Sequence, residues 1–160
     1  MTRIFGSDGL LGRALLRRLP YALGMPRSSY DLATSDPRTI PDCSLAYLCA
    51  GTKGFKECEG NTEVFRADVD GNIRLAKHLL RMRAFVVFIS TEGVEWGSSL
   101  SYAKNRMLVE MALVMQDNVA IVRPGKFHDA NVNDLADYCA KLGEMKLEGV
   151  HYWRPDERSV

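Results

Sequence analysis

The chain opens with Met1-Thr-Arg-Ile-Phe-Gly-Ser-Asp-Gly-Leu-Leu-Gly12, and this stretch decides the fold. A short β-rich run ends at Gly6, and glycine then recurs at every third position, at Gly9 and Gly12. Leucine and alanine follow at helical spacing as far as Leu19. A strand, a glycine turn and a helix in this order form a site for the pyrophosphate of a dinucleotide, because the first helical amides face the anion. Glycine triplets also occur in other α/β turns, so the prediction depends on the order of the elements.

Each glycine of this turn has its own expected role. Gly6 permits the sharp turn, Gly9 lets the backbone approach the phosphates, and Gly12 lets the helix lie close to the strand. We expect the whole turn to bind the cofactor, through Gly6, Ser7, Asp8, Gly9, Leu10, Leu11 and Gly12.

Composition narrows the class of protein. The 160 residues suffice for a single domain spanning 1–160, with 46% hydrophobic and 26% charged residues and a net charge of +1. This balance gives no reason to expect nucleic acid or a membrane surface as partner. No apolar run approaches the ~20 residues of a spanning helix, and no signal-like start is present, so we expect a cytoplasmic protein. Four cysteines and three histidines lack ligand spacing, and we expect no metal site.

Strand-like and helix-like segments alternate along the chain. This alternation predicts a doubly wound, Rossmann-like α/β fold with a parallel sheet in one compact domain. The expected strands are Thr2–Phe5, Tyr21–Met25, Leu45–Cys49, Phe85–Ser90, Val119–Val122 and Val150–Trp153. The expected helices are Leu10–Leu19, Thr62–Met82, Tyr102–Gln116 and Val132–Leu142.

Two of these helices are apolar on more than one face. Helices 62–82 and 102–116 carry more hydrophobic residues than one sheet contact needs. We expect a homodimer that pairs these helices, although loops packed over them would also explain the pattern.

Several segments together resemble the extended short-chain dehydrogenase/reductase family, and most closely its dTDP-4-dehydrorhamnose reductases and nucleotide-sugar epimerases. The segments are Gly6-Ser-Asp-Gly-Leu-Leu-Gly12, Arg27-Ser-Ser-Tyr-Asp-Leu32, Tyr47-Leu-Cys-Ala-Gly51, Cys58-Glu59, Phe65-Arg-Ala-Asp-Val-Asp-Gly71 with Leu75-Ala76, Phe88-Ile-Ser-Thr-Glu-Gly-Val94, Tyr102-Ala-Lys-Asn-Arg106 with Glu110, Val122-Arg-Pro-Gly125 and Asn133-Asp-Leu-Ala136. The resemblance covers nearly the whole chain, and the order of the motifs is more specific than any one of them. It implies cofactor contacts from Ala50, Gly51, Thr52, Tyr102, Arg106 and Pro124 in addition to the glycine turn.

The resemblance also implies catalytic roles. Tyr102 would protonate a carbonyl oxygen as general acid, Ser90 would hold that oxygen, and Arg106 would anchor the cofactor ribose and favour tyrosinate. Thr91 is a second hydroxyl directly beside Ser90. The alternative is that Ser90 ends a strand and Tyr102 begins a helix without any chemistry.

The chain departs from the family pattern in several places. Arg106 stands where the family has lysine, and its planar guanidinium does not reproduce an ammonium group. Asp68 stands where the family has asparagine, and an ionised carboxylate cannot donate a hydrogen bond. Only eleven residues separate Ser90 from Tyr102, where relatives have a longer substrate loop, and the expected C-terminal substrate region is minimal.

Two residues after the second strand bear on the choice of cofactor. Asp31 lies near the spacing of an acidic ribose ligand, which favours NAD. Arg27 lies closer to the strand end and suits the 2′-phosphate of NADP. We favour NADP, because Asp31 matches a family position that is structural.

Two functions therefore remain open from the sequence. The first is a minimal NAD(P)-dependent reductase or epimerase acting on a small-molecule carbonyl substrate, either free or nucleotide-linked. The second is a catalytically degenerate dinucleotide-binding sensor or interaction module.

Overall fold

The computed structural model of the chain describes residues 1–52, 55–95 and 97–155. Its core is a six-stranded sheet in which every neighbouring pair of strands is parallel. The strands are β1 Thr2–Phe5, β2 Leu23–Met25, β3 Leu45–Leu48, β4 Phe85–Ile89, β5 Val119–Pro124 and β6 Gly149–Trp153, in the spatial order β2-β1-β3-β4-β5-β6. The predicted doubly wound α/β fold is confirmed.

The central strands are buried along their whole length. β1, β3 and β4 have no exposed position, which agrees with the apolar sequences of β3 and β4 and with helices on both faces of the sheet. In the register, Ile4 lies opposite Tyr47, and Tyr47 lies opposite Val87.

The strand order reverses between β1 and β3. From β1 the chain passes to β2 on one side and then returns to place β3 on the other side. In open parallel sheets ligands bind outside the carboxyl ends of the strands at this reversal. The residues that follow β1 and β3, beginning with Gly6 and Cys49, therefore border the expected crevice.

Helices cover both faces of the sheet. On one face α1 (Leu10–Arg18) and α6 (Val132–Glu144) bury Leu15 and Leu135. On the other face α4 (Asn72–Arg81) and α5 (Ser101–Leu113) bury Leu79 and Val109. Two short helices, α2 (Phe55–Cys58) and α3 (Thr62–Phe65), lie between β3 and α4.

The segment predicted as one helix over Thr62–Met82 is not a uniform α-helix. It runs from α3 through a π-helical turn, Arg66–Gly71, into α4, which ends at Arg81. Hydrophobic spacing does not predict this turn, because a π turn changes the hydrogen-bond partner while the chain remains helical. Gly71 lies on this turn, where an added Cβ would be 2.3 Å from the carbonyl oxygen of Leu32.

Other boundaries differ by a few residues from the predicted ones. β2 begins at Leu23 instead of Tyr21, because Leu19 and Ala22 form a turn in which the Ala22 amide donates to the Leu19 carbonyl. β5 continues to Pro124, two residues further than predicted. None of the helices in the described part of the chain is long and apolar enough to cross a membrane.

Candidate functional site

The glycine turn lies against the end of β3. Gly6 has a φ of +77°, a conformation that favours glycine, and an added Cβ would be 2.6 Å from the backbone of Ala50. The Gly6 amide donates to the carbonyl of Met25 at 2.9 Å, which ties the turn to β2 as well. Residue 6 must therefore be small, because two backbone segments approach it at the strand reversal.

The third glycine allows α1 to approach the turn. An added Cβ at Gly12 would lie 2.2 Å from the Gly6 carbonyl oxygen, which is the close approach that the sequence predicts. Gly9 is the N-cap of α1, and its amide donates to the same Gly6 carbonyl at 3.0 Å. The first amides of α1 thus lie beside the crevice, with the positive end of the helix dipole.

The other wall of the crevice is the segment after β3. Ala50 is half-buried and Gly51 is exposed, whereas the next residue, Thr52, is held from behind by Asp68. The Thr52 amide donates to both Asp68 carboxylate oxygens at 3.1 and 3.2 Å, and the Thr52 hydroxyl donates to Oδ1 at 3.3 Å. Asp68 is 2% exposed and lies on the π-helical turn, so this turn positions a buried carboxylate under the loop.

Arg106 lies directly over this loop. An added Cβ at Gly51 would be 2.1 Å from Arg106 Nη2. The guanidinium carbon lies 5.6 Å from the ring centroid of Phe88 and 5.4 Å from that of Tyr102. Arg106 is 5% exposed, and its Nη1 has no hydrogen-bond partner among the described residues. α5 thus brings together Tyr102 and Arg106, as predicted, one turn apart on the same face.

A buried polar network continues along the same face of α5. The Ser90 hydroxyl donates to Glu110 Oε1, and Glu110 is 4% exposed. Arg123 binds both carboxylate oxygens, with Nη2 at 2.6 Å from Oε2 and Nε at 3.1 Å from Oε1. Arg123 Nη1 donates in turn to the Tyr152 hydroxyl at 2.8 Å. Hydrogen bonding to Glu110 raises the pKa of Arg123, so the guanidinium stays charged.

In the sequence, Glu110 stands only as part of the Tyr102 motif, and no function is expected of it. One sequence signal could have identified it. Glu110 lies four residues after Arg106 and eight after Tyr102, so all three side chains lie on one helix face. Its partners are Ser90, directly after β4, and Arg123 on β5, and their positions depend on the sheet register, which this spacing does not encode.

Thr91 is more accessible than Ser90. Ser90 is 2% exposed, whereas Thr91 is half-buried. The Thr91 hydroxyl accepts a hydrogen bond from the Gly93 amide at 3.3 Å and starts a short 3-10 turn, Glu92–Val94. Arg154, just after β6, forms an ion pair with Glu92 at 3.4 Å, which ties this turn to the last strand.

Arg27 and Asp31, the two residues expected to select the cofactor, form an ion pair with each other. Arg27 follows β2, and its Nε donates to Asp31 Oδ2 at 2.9 Å. Asp31 also accepts the Ala33 amide at 2.8 Å, and this bond, with that from Arg27, lowers the pKa of Asp31. The Arg27 side chain remains 80% exposed. Asp31 therefore shapes a turn, while Arg27, two residues after the end of β2, stays largely exposed.

The remaining predicted cofactor residue, Pro124, is the buried last residue of β5. The amide of the next residue, Gly125, donates to the Trp153 carbonyl at 2.8 Å. Pro124 thus ends its strand at the same edge of the sheet as Gly6, Ala50 and Ser90.

The two cysteines nearest the site are not activated nucleophiles. Burial raises the pKa of Cys49 to about 12, although Arg106 acts in the opposite direction. Burial also raises the pKa of Cys58, Asp68 adds to that effect, and Arg106 opposes it. All four cysteines of the chain are free thiols. Among the described residues, no group of three or more His, Cys, Asp or Glu side chains is arranged to hold a metal ion.

Comparison with known proteins finds matches in structure and none in sequence. No family model matches the sequence, and no curated protein matches it. Solved structures do match. A hypothetical dTDP-4-dehydrorhamnose reductase from Sulfolobus tokodaii superposes with a TM-score of 0.79 at 18% identity, over 94% of this chain and 75% of that one.

Two further structures agree with the first. The dTDP-4-dehydrorhamnose reductase of Bacillus anthracis, solved in complex with NADP, has a TM-score of 0.82 at 17% identity, over 94% of this chain and 73% of that one. An NAD-dependent NDP-hexosamine 5,6-dehydratase of tunicamycin biosynthesis has a TM-score of 0.74 at 18% identity, over 95% of this chain and 74% of that one. The chain has the fold of these enzymes. The resemblance seen in the sequence motifs is thus confirmed at the level of the fold.

Proposed function

We propose that this chain binds a nicotinamide dinucleotide at the carboxyl ends of β1 and β3 and reduces a small or nucleotide-linked carbonyl compound. The observation that carries the proposal is the meeting of three segments at one crevice. These are the glycine turn after β1, the Gly51 loop after β3, and the Tyr102–Arg106 face of α5.

The residues at the crevice fit such a cofactor. The pyrophosphate would face the α1 amides above the Gly6–Gly12 contact, where side chains are excluded by distances of 2.2–2.6 Å. Arg106 offers Nη1, a buried cationic donor without a partner among the described residues, and hydroxyl groups of a ribose are suitable acceptors. An unpaired buried donor is costly, so a ligand that satisfies it would gain affinity.

The chemistry requires one proton donor. A reduced nicotinamide bound here would supply hydride to a carbonyl carbon. Tyr102 would donate its phenolic proton to the carbonyl oxygen as negative charge develops there. The Arg106 guanidinium, 5.4 Å from the Tyr102 ring, would stabilise the tyrosinate that remains.

The second hydroxyl at the reacting oxygen is better assigned to Thr91 than to Ser90. A serine hydroxyl carries one hydrogen, and in Ser90 it is donated to the buried Glu110. Thr91 accepts a bond from Gly93 and keeps its own hydrogen available to a ligand. We therefore assign the contact with the carbonyl oxygen to Thr91 and a supporting role to Ser90.

We favour NADP over NAD as the cofactor. Arg27 follows β2 and its side chain is 80% exposed, so it can turn toward a 2′-phosphate. Asp31 is engaged by Arg27 and Ala33 and so is less suited to a ribose hydroxyl. Two neighbours in the comparison are described with NADP and NAD respectively, and the fold alone is compatible with either.

We also propose that the protein forms a homodimer through the helices of segments 62–82 and 102–116. Large apolar side chains are exposed on these helices and just beyond α5: Phe65 39%, Met107 38%, Leu108 37%, Met111 66%, Val114 53% and Met115 87%. A second copy of the same helix pair would cover this surface.

The experiment that tests the function begins with titration of the nucleotide-free protein with NADPH and NADH. A panel of carbonyl compounds, including nucleotide-linked ketosugars, is then screened by loss of NADPH absorbance. We expect micromolar binding, and we expect turnover to fall by about 100-fold or more in Tyr102→Phe with a much smaller effect on NADPH affinity. Tyr21→Phe, an exposed tyrosine at the start of the turn before β2, is the matched control. A wild-type protein that binds neither dinucleotide would contradict the proposal.

A further inference from the structure

The cofactor loop is supported by an unusual helical turn. The segment Arg66–Gly71 is π-helical and joins α3 to α4 without a break. Such turns are rare and occur often at functional sites. Here the turn directs Asp68 inward, at 2% exposure, while Asp70 on the same turn is exposed.

Among the described residues, the Asp68 carboxylate accepts hydrogen bonds from Thr52. Both donors of Thr52, its amide and its hydroxyl, point at the carboxylate at 3.1–3.3 Å. The Asn72 side chain meanwhile donates to the Asp68 carbonyl oxygen at 2.9 Å, which holds the turn itself. A buried carboxylate is stable only when hydrogen-bonded, so these bonds fix both partners in place.

Thr52 belongs to the wall that the cofactor is proposed to contact. It lies two residues after Ala50, the backbone of which is in contact with Gly6, and one residue after Gly51, which lies under Arg106. The Ala50–Thr52 segment is therefore held at its start by Gly6 and at its end by Asp68.

We propose that Asp68 is a positioning residue that holds the Gly51–Thr52 loop in the conformation that receives the dinucleotide. This inference rests on the proposed function. It explains why aspartate can stand where the family has asparagine. Thr52 donates to residue 68 through both its amide and its hydroxyl, and a carboxylate supplies the acceptors for these bonds. An asparagine can perform the same task through its single side-chain oxygen.

The experiment compares Asp68→Ala, Asp68→Asn and the exposed control Asp70→Ala with the wild-type protein. NADPH affinity is measured by titration, and exchange of the Thr52 amide hydrogen is followed by NMR. For Asp68→Ala we expect about tenfold weaker NADPH binding and about tenfold faster Thr52 exchange, with the β3 amides unchanged. Asp68→Asn restores affinity to within about threefold of wild type, and Asp70→Ala has no effect.

The outcomes separate the two proposals. A wild-type protein that binds neither NADPH nor NADH overturns the proposed function. A wild-type protein that binds, together with an Asp68→Ala variant of equal affinity, overturns this inference alone, as does an equal loss in Asp70→Ala. If Asp68→Ala does not fold, Thr52→Val removes the hydroxyl bond while Asp68 stays intact. NADPH affinity of Thr52→Val equal to wild type then overturns the inference.

Discussion

The guanidinium of Arg106 occupies the space that a side chain at Gly51 would need. An added Cβ at Gly51 would lie 2.1 Å from Nη2 and 3.0 Å from Cζ, and Arg106 has little freedom to withdraw because it is 5% exposed. The longer cation at residue 106 and the missing side chain at residue 51 therefore depend on each other.

This dependence predicts the effect of Gly51→Ala. Gly51 is exposed, but its added methyl group would overlap the buried Arg106 guanidinium, so we expect a loss of about 1–3 kcal/mol in the free energy of unfolding. The shorter, unbranched lysine of Arg106→Lys should recover most of that loss in the double variant. Urea denaturation measures the stability of the single and double variants. Gly93→Ala is the control, because its added Cβ would lie 3.5 Å from its nearest neighbour, which is an ordinary van der Waals contact. Additive effects of the two substitutions would contradict the dependence.

The glycine turn could be predicted because its evidence is local. Gly6, Gly9 and Gly12 lie within one strand-turn-helix unit, and β4 is apolar at every position. Such patterns specify elements and their order, and the order specifies a parallel sheet.

The polar network could not be predicted in the same way. Ser90 directly follows β4, Glu110 lies on α5 and Arg123 on β5, and their contact depends on how those elements are aligned. The motifs predict Ser90 at a reacting oxygen, and they give no sign that its hydroxyl also contacts Glu110. Likewise, no local pattern distinguishes the π-helical turn that carries Asp68 from ordinary helix.

The Glu110–Arg123 pair should contribute far more to the free energy of unfolding than a surface ion pair does. Glu110→Ala leaves the Arg123 guanidinium, whose side chain is 17% exposed, without its carboxylate, so we expect a loss of about 3–5 kcal/mol. The Arg18–Asp137 pair, with side chains 47% and 63% exposed, is the comparison. Asp137→Ala should cost less than about 1 kcal/mol. Chemical denaturation measures the free energy of unfolding of both variants. Similar losses in Glu110→Ala and Asp137→Ala would show that burial does not determine how much an ion pair stabilises this protein.

The start of α5 depends on a carboxylate from a distant segment. Glu59 accepts the Ser101 amide at 3.0 Å and the Ser101 hydroxyl at 2.9 Å, and these bonds hold the pKa of Glu59 below its ordinary value of 4.5. A lowered folded-state pKa stabilises the protein above pH 4.5 and ceases to do so as the pH falls through the folded value. Tyr102 is the next residue, so this contact also helps to place it.

We therefore predict that Glu59→Gln lowers the melting temperature near neutral pH. The difference from wild type should shrink as the pH falls below 4.5, because protonation removes the same charge from the wild-type protein. Glu57→Gln on α2 is the control. A difference that stays constant to about pH 3 would contradict the charge-based explanation.

The proposed dimer predicts a change of mass in solution. Met111 is 66% exposed on α5, and a lysine there would place charge in the proposed helix-helix contact. We expect Met111→Lys to sediment as a monomer where the wild-type protein sediments as a dimer. Met145→Lys carries the same change at a 58% exposed position just beyond the end of α6 and should remain dimeric. A wild-type monomer at all accessible concentrations would contradict the proposal.

The proposed preference for NADP should depend on Arg27. Its guanidinium forms an exposed ion pair with Asp31 at 2.9 Å, and exchanging this carboxylate for a doubly charged 2′-phosphate requires only a side-chain rotation. Arg27→Ala should weaken NADPH binding by about tenfold or more, since a hydrogen bond to a charged group contributes about 1.5–3 kcal/mol. NADH affinity should not change, because NADH lacks this phosphate.

A second arginine provides the control for the NADP prediction. Arg38 pairs with Asp36 at 2.7 Å and is 83% exposed, so Arg38→Ala removes the same type of surface pair away from the end of β2. Calorimetric titration of both dinucleotides measures the two arginine variants side by side. Equal loss of NADH and NADPH affinity in Arg27→Ala would assign Arg27 to a part of the cofactor that the two molecules share.

The variant Asp31→Asn separates the remaining alternatives in the same titrations. If Asp31 bound a ribose hydroxyl, this variant would lose NADH affinity. If Asp31 only competes for Arg27, NADPH affinity should stay the same or increase, because the guanidinium is released to the phosphate. The side-chain oxygen of the introduced asparagine can still accept the Ala33 amide, so the turn after β2 should keep its shape and any change in affinity reports on the charge alone.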